Sequence, residues 1–253
     1  MAVRRFRRAV DAEGSAPWLQ LVCFPHAGAG SGLFRAWPQQ LPKGVEVVCP
    51  ILPGRDARAG EAPLIDMAIL AGDVADQLEG LLKAPYAIYG HSLGAFIAFD
   101  LTHELARRGA PGPMRLFASG QRGPSLPYPA APNYQLEDQA LLDAVRRRHN
   151  AIPEAVLADL GMRAYLVRLL RADFTLVEAY HYVATSPLDC PITVLGGRDD
   201  PMITRAQLDL WARETRAGCE VVTIAGGHFY PQTHAAETLA AISARLGSPA
   251  APD

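Results

Sequence analysis

The stretch Tyr86-Ala87-Ile88-Tyr89-Gly90-His91-Ser92-Leu93-Gly94-Ala95 decides the predicted fold. It begins as an apolar run typical of a buried strand and continues into apolar residues at helical spacing: Ala95, Ile97, Ala98, Leu101 and Leu105. Between the two lies Gly-x-Ser-x-Gly, the pattern of a nucleophile elbow, in which a serine occupies a sharp strand-to-helix turn. Such a turn requires very small residues, as at Gly90 and Gly94. We expect Ser92 to be a nucleophile; an ordinary structural turn is the alternative.

Two backbone amides are predicted to face the Ser92 hydroxyl. The Leu93 amide opens the following helix, so it lacks an intrahelical acceptor and lies at the positive end of the helix dipole. A glycine-rich loop at residues 25–32, Pro-His-Ala-Gly-Ala-Gly-Ser-Gly, follows a predicted strand at residues 18–24. It has neither the G-x-G-x-x-G fingerprint nor a P-loop Lys-Ser/Thr, which argues against a phosphate site. We expect the Ala27 and Leu93 amides to form an oxyanion hole.

Two histidines in these loops are expected to be structural. A histidine directly before a glycine-rich loop more often orients that loop by a hydrogen bond, and one base suffices for acyl transfer, so His26 is not chosen as the base. His91, inside the elbow, is interpreted in the same way. His26 remains a candidate for contact with a substrate or a lid.

Strands and helices alternate along the first half of the chain. A strand is predicted at residues 45–49, followed by a loop ending in Arg55, which faces either the site or the solvent. A helix is predicted at residues 64–82, and a further strand at residues 114–119 follows the elbow helix. Only a largely parallel sheet with crossover helices accommodates this order, so we predict an α/β fold.

The alternation stops after residue 121. Residues 121–134 contain four prolines among small and polar residues, which is typical of an exposed linker. Three helical segments follow without a strand, near residues 136–149, 153–160 and 162–183. We interpret residues 122–185 as a helical lid inserted into a core of residues 1–121 and 186–253, with a plain packing helix pair as the alternative.

Asp173 is predicted to lie on the apolar face of the third segment, among Leu166, Leu169, Leu170, Phe174, Val177 and Tyr180. A bare carboxylate there would cost several kcal/mol. We expect a backbone amide or an arginine to bind it and lock the base of the lid, in preference to a direct role in chemistry.

Candidates for the acid and the base follow the last two predicted strands. A strand at residues 191–195 leads into Gly196-Gly197-Arg198-Asp199-Asp200-Pro201; we choose Asp200 as the acid, with Asp199 as its rival. A strand at residues 221–224 precedes His228, which lies on a glycine-flanked loop.

The order Ser92, Asp200, His228 is that of an α/β-hydrolase triad. His228 would be the general base, and Asp200 would hold its tautomer. Phe229 is a further candidate for substrate contact, whereas His234 is expected at the surface of the closing helix.

Composition excludes several classes of function. The chain has 253 residues, 49% hydrophobic and 20% charged, which suits one α/β domain with an insertion. The net charge of −2 and the lack of an apolar run of about 20 residues argue against nucleic acid and membrane partners. Four arginines flank Phe6 without an apolar segment after them, so we expect a solvated edge strand and no secretory signal.

The four cysteines, Cys23, Cys49, Cys190 and Cys219, lie in or beside predicted strands without metal-ligand spacing. We expect them to be reduced and buried in a cytoplasmic protein that needs no metal or other cofactor. A monomer is expected.

Six motifs together resemble the type II thioesterases of polyketide synthase and nonribosomal peptide synthetase systems. They are Phe24-Pro25-His26-Ala27-Gly28-Ala29-Gly30, Leu52-Pro53-Gly54-Arg55, Gly90-His91-Ser92-Leu93-Gly94-Ala95, Leu170-Arg171-Ala172-Asp173-Phe174, Gly196-Gly197-Arg198-Asp199-Asp200-Pro201 and Gly226-Gly227-His228-Phe229.

The resemblance implies a free-standing α/β-hydrolase with a helical lid. Such an enzyme would hydrolyse misplaced or stalled acyl groups from the phosphopantetheine arm of acyl and peptidyl carrier proteins. It also implies the triad Ser92, Asp200 and His228. A carboxylesterase or lipase-like enzyme acting on small esters would use the same residues, and a catalytically inactive binding module is a further alternative.

Overall fold

The computed structural model describes residues 6–9, 17–83, 85–149 and 152–247. Their centre is a seven-stranded sheet with the order β1-β3-β2-β4-β5-β6-β7. The strands are β1 (Phe6–Ala9), β2 (Leu19–Phe24), β3 (Val45–Pro50), β4 (Tyr86–His91), β5 (Leu116–Ser119), β6 (Ile192–Gly197) and β7 (Cys219–Ile224).

Six of these strands are parallel, and only β1 pairs antiparallel, against β3. The predicted α/β fold with a mostly parallel sheet is therefore confirmed. The edge strand predicted around Phe6 is also present, although Arg4 and Arg5 lie outside the described residues.

Alternating residues of the central strands fill two apolar layers, as the two-residue period of a strand requires. On β4, Ile88 faces the layer beneath α1 (Met67–Leu78) and α2 (Leu93–Arg107), whereas Tyr89 faces the opposite layer with Phe34 and Trp37. The second layer is closed by α8 (Ala235–Leu246), which follows the short α7 (Tyr230–Thr233). The elbow strand is thus buried on both faces, which fixes the start of α2.

Three helices stand between β5 and β6, where lid helices were predicted. They are α3 (Asp138–His149), α4 (Glu154–Ala158) and α5 (Leu160–Glu178), and they share an apolar cluster of Leu141, Leu142, Val145, Val167 and Leu170. The short α6 (Arg205–Asp209) follows β6. Periodicity predicted the last of these helices at residues 162–183. Helix α5 begins two residues earlier than that segment and also ends five residues earlier. It ends before Tyr180, whose ring instead stacks on Phe96 at 4.3 Å between centroids.

The expected exposed linker at residues 121–134 is wrong for its first four residues. Residues 121–124 are buried. The Gly123 amide donates to the Gln207 carbonyl at 2.9 Å, and the Trp211 indole donates to the Gln121 carbonyl at 2.9 Å. These bonds extend the packed core past β5, so the exposed stretch begins only at Pro127. Proline content alone does not report such tertiary hydrogen bonds.

The cysteine thiols are all free, and Cys23, Cys49 and Cys190 are buried as expected. Cys219 is only half-buried, because it begins the edge strand β7. In the described ranges we find no helix that combines the length and apolarity needed to cross a membrane.

Candidate active site

Ser92 occupies a strained turn between β4 and α2. Its φ of 55° and ψ of −118° are unusual for a residue other than glycine, as a nucleophile elbow requires. A Cβ atom at Gly90 would lie 1.9 Å from the Gly94 carbonyl oxygen, and one at Gly94 would lie 2.3 Å from the Phe24 carbonyl oxygen. Only glycine fits at either position, as the sequence pattern indicated.

A chain of hydrogen bonds connects Ser92 to His228 and Asp200. Ser92 Oγ lies 3.1 Å from His228 Nε2, and His228 Nδ1 lies 2.7 Å from Asp200 Oδ2. Because an ionised carboxylate can only accept, Nδ1 carries the proton and Nε2 is left to accept the serine proton. The Asp200 side chain is 1% exposed, and its Oδ1 accepts the Met202 amide at 2.9 Å.

The structure separates the two adjacent acids. Asp199 is exposed, and its amide donates to the Gly226 carbonyl at 3.0 Å, which ties together the loops after β6 and β7. Asp200 is turned toward His228 instead. The geometry therefore places Asp200, rather than its rival, beside the imidazole.

Ala27, in the glycine-rich loop, and Ser92 both line one cavity. Leu93 is the first residue of α2, where the amide has no intrahelical acceptor. The Leu93 amide therefore directly follows the serine, whereas the pairing of Ala27 and Leu93 as an oxyanion hole stays a prediction.

The same loop is held from behind by Arg55 and Asp173. Asp173 accepts the Gly28 amide at 2.7 Å and two bonds from Arg55 at 2.6 and 3.1 Å, and Arg55 also donates to the Ala29 carbonyl at 2.8 Å. Burial by itself would lower the pKa of Arg55, but the Asp173 carboxylate raises it. Arg55 is buried, so the solvent alternative for it is wrong, and it contacts the loop that borders the site. Asp173 has both of the partners considered for it, an amide and an arginine.

His26 and His91 both lie near His228 without contacting the Ser92 hydroxyl. His26 donates from Nδ1 to the Ala27 carbonyl at 2.9 Å, and its ring packs edge-on against Phe229 at 4.9 Å. His91 is buried, and the centroid of its ring lies 5.1 Å from the centroid of the His228 ring. Burial lowers the pKa of His26 and lowers that of His91 well below its usual value. Both are therefore neutral at pH 7, which suits the structural roles expected of them.

His234 lies between α7 and α8 and is half-buried, with its Nδ1 2.9 Å from the Thr233 hydroxyl. It is therefore less exposed than the surface position expected for it.

A buried polar cluster beneath the elbow was missed from the sequence. Ser119, the last residue of β5, accepts the Tyr89 hydroxyl at 3.1 Å, lies 2.9 Å from His91 Nδ1 and bonds the Tyr230 hydroxyl. Its carbonyl also accepts the Ser92 amide at 2.7 Å. The available signal was a serine and a tyrosine within otherwise apolar strands, and a tyrosine two residues after His228.

A cavity of about 570 Å³ opens over Ser92 and His228. Ser92, His228 and Phe229 form part of its wall, and apolar side chains of the inserted region form much of the rest: Val145, Ile152, Val156, Leu166, Leu170 and Phe174. Arg122 and Glu178, which the sequence analysis did not single out, also line it. Among the described residues no cluster of three or more His, Cys, Asp or Glu side chains is placed to hold a metal ion.

Known proteins share this sequence and architecture. The family model of the thioesterase domain matches residues 19–246. The gramicidin S biosynthesis protein GrsT of Aneurinibacillus migulanus is 36% identical over 216 residues, which cover 85% of this chain and 84% of that protein.

Solved structures also match, among them two with a TM-score of 0.85. One is RedJ, a thioesterase from the prodiginine pathway of Streptomyces coelicolor, at 35% identity and coverage of 94% of this chain and 89% of that chain. The other is the type II thioesterase BorB from the borrelidin biosynthetic cluster, at 30% identity and coverage of 96% and 98%. With this sequence match and an α/β-hydrolase fold, the chain belongs to the thioesterase family, among the type II thioesterases of nonribosomal peptide and polyketide pathways.

Proposed function

We propose that this thioesterase removes misplaced or stalled acyl groups from the phosphopantetheine arm of acyl and peptidyl carrier proteins, with Ser92, His228 and Asp200 as its triad. The observation that carries the proposal is the continuous set of bonds from Asp200 through His228 to Ser92, at the wall of an apolar cavity. Relatives whose names assign them to gramicidin S and borrelidin biosynthesis support the choice of carrier-bound substrates.

The first half of the reaction would form an acyl-enzyme. His228 Nε2 takes the proton as Ser92 Oγ attacks the thioester carbonyl, and Asp200 stabilises the resulting imidazolium. The Ala27 and Leu93 amides hold the oxyanion; removing one such donor costs about 3 kcal/mol in comparable enzymes. The C–S bond then breaks, and the imidazolium gives its proton to the departing thiolate.

The second half would release the acid. His228, now neutral, takes a proton from water as the oxygen attacks the acyl-serine, and returns that proton to Ser92 Oγ when the C–O bond breaks. The products are a free carboxylic acid and a carrier thiol. No cofactor enters this scheme.

The inserted helices would act as a lid over the acyl group. They supply apolar side chains to the cavity, including Leu166 and Phe174 of α5, which would shield the chain of the acyl group from water. We take residues 122–185 as this lid and the remaining ranges as the catalytic core.

The decisive experiment is mass spectrometry of a butyryl-loaded carrier protein before and after incubation with the enzyme. We expect loss of the acyl mass with the wild type and none with Ser92→Ala. A p-nitrophenyl butyrate assay run alongside tests the esterase alternative, since rapid cleavage of this ester with an untouched carrier would overturn the proposal. If a fluorophosphonate fails to label the wild type, the chain would instead be an inactive binding module.

A further inference from the structure

Three arginines are buried in the described part of the chain: Arg55, Arg58 and Arg122. Two of them are paired with carboxylates, Arg55 with Asp173 and Arg58 with Asp73 and Glu61. Arg122 is 2% exposed and, among the described residues, forms no ion pair. Since an isolated buried charge is costly, this third arginine needs another explanation.

Neutral groups surround the Arg122 guanidinium. It donates to the Leu126 carbonyl at 2.8 Å, to Gln121 Oε1 at 3.2 Å and to the Val177 carbonyl at 3.3 Å. Its central carbon lies 5.0 Å from the Phe96 ring and 5.4 Å from the Tyr128 ring, measured to the centroids. Guanidinium has five N–H donors, so these three bonds leave two donors for another acceptor.

The nearby carboxylate is engaged elsewhere. Glu178 lines the same cavity, but its oxygens accept the Asn133 and Tyr134 amides and the Asn133 side chain. It reduces the local positive potential without binding Arg122. A neutral oxygen is therefore a better match for the two remaining donors than a second carboxylate, which Glu178 would repel.

Arg122 is also close to the nucleophile along the fold. It lies over Phe96, which follows Ser92 by four residues on α2, about 6 Å of helix axis. Both Arg122 and Ser92 line the cavity. An acyl group attached to Ser92 and the Arg122 guanidinium would therefore share one cavity.

From this geometry we infer that Arg122 is a specificity determinant that binds a neutral oxygen on the acyl chain, so that 3-oxoacyl and 3-hydroxyacyl groups are hydrolysed in preference to saturated ones. The inference rests on the proposed thioester hydrolysis. Arg122 donates its two remaining N–H groups to the oxygen on C3 of the acyl chain. These hydrogen bonds break when the carboxylic acid leaves the cavity.

The test compares pantetheine thioesters of butyrate, 3-hydroxybutyrate, 3-oxobutyrate and malonate as substrates of wild type, Arg122→Met, Arg122→Lys and Arg168→Met. Arg168 is exposed on α5 and serves as the matched arginine control. The measured quantity is kcat/KM for 3-oxobutyryl divided by kcat/KM for butyryl within one preparation, because this ratio does not depend on the active fraction. We expect Arg122→Met to lower the ratio about ten-fold or more, Arg122→Lys to lower it less, and Arg168→Met to leave it unchanged.

An unchanged ratio in Arg122→Met would overturn the inference, as would a wild-type preference for malonyl over 3-oxobutyryl. If both Arg122 variants fail to fold, the wild type alone provides the test. Its rate with each thioester is divided by the rate at which hydroxide hydrolyses the same thioester. An equal rate enhancement for the butyryl and 3-oxobutyryl thioesters overturns the inference. A wild type that hydrolyses none of the thioesters overturns the proposed function as well, whereas hydrolysis with an unchanged ratio overturns only the role of Arg122.

Discussion

Asp173 and Arg55 form a buried ion pair that joins helix α5 to the loop bearing Ala27. Their side chains are 1% and 5% exposed, and the nearest N–O distance is 2.6 Å. Asp173 also accepts the Gly28 amide, and Arg55 also donates to the Ala29 carbonyl. The pair therefore holds the backbone on the C-terminal side of Ala27, which links the position of helix α5 to that of the proposed oxyanion donor.

Asp173→Asn should lower both stability and turnover. Removing one charge leaves Arg55 buried without its counter-ion, which costs about 3–5 kcal/mol in the free energy of unfolding. We expect kcat to fall by up to about 100-fold with a smaller change in KM. The reason is that displacing the Ala27 amide reduces the stabilisation of the transition state more than that of the bound substrate. Urea unfolding and steady-state kinetics measure the two effects.

Two further variants separate the effect of the ion pair on the position of the loop from its effect on the stability of the fold. Asp209→Asn breaks an exposed pair with Arg205 and should cost less than about 1 kcal/mol. The double variant Arg55→Met/Asp173→Leu replaces both charges with apolar groups and should recover stability, but not kcat, because Gly28 and Ala29 lose their partners. Full recovery of kcat in the double variant would show that the pair does not position the loop.

The two adjacent acids should differ sharply in their effect on turnover. Asp200→Asn removes the acceptor that keeps the proton on His228 Nδ1, and we expect kcat to fall by about 10⁴. Asp199→Asn, at an exposed position, should change kcat by less than ten-fold. Hydrolysis of an acyl-pantetheine thioester gives both values, and the reverse ranking would assign the acid role to Asp199.

Gly94→Ala should disrupt the elbow. The added Cβ would lie 2.3 Å from the Phe24 carbonyl oxygen, and neither backbone segment can move without disturbing the sheet. We expect a loss of at least about 1–3 kcal/mol and much slower labelling by a fluorophosphonate. Gly112→Ala, where nothing lies within 4 Å of the added atom, is the control and should stay within about 0.5 kcal/mol of the wild type. Normal labelling of Gly94→Ala would contradict the assigned geometry.

Acid should destabilise the protein through His91. Burial holds its folded pKa well below 6.5, so below pH 6.5 the unfolded chain takes up a proton that the folded chain does not. This contribution to stability is complete above pH 6.5 and falls by up to about 1.4 kcal/mol per pH unit as the pH drops toward the folded pKa.

The wild-type curve alone does not isolate His91, because burial raises the pKa of Asp100 to about 6 and gives that group the opposite slope below pH 6. The difference between wild type and His91→Asn, measured by urea unfolding at pH 7.5 and 5.5, removes the Asp100 effect. We expect this difference to shrink at pH 5.5, whereas the exposed His181→Asn control should show no such change. A pH-independent difference for His91→Asn would show that its imidazole is not held neutral.

Limited proteolysis should cut the entry to the lid at one place. Residues 121–124 are buried and hydrogen-bonded, whereas Pro127, Pro129, Ala130 and Ala131 are exposed. Elastase, which cleaves after small residues, should therefore cut first after Ala130, giving fragments identifiable by mass. First cleavage at residues 121–124 would show that the hydrogen bonds around Gly123 open in solution.

Much of the architecture followed from local patterns. The order of strands and helices requires a mainly parallel sheet, and Gly90 and Gly94 frame Ser92 because no larger residue fits the turn. The restriction at Gly90 acts between near neighbours in the chain, whereas that at Gly94 comes from the backbone of Phe24 on the adjacent strand.

Other features depended on contacts between distant residues. The choice between Asp199 and Asp200 rests on which of the two carboxylates turns toward a loop 28 residues away. The burial of residues 121–124, the Arg55–Asp173 pair and the burial of Arg122 arise in the same way. Each depends on groups that come together only when the sheet and the inserted helices pack. The sequence by itself thus determined the fold and the position of the serine in the elbow, and only the tertiary structure decided which charged side chains surround that serine, since charge pairing depends on distances that no local pattern encodes.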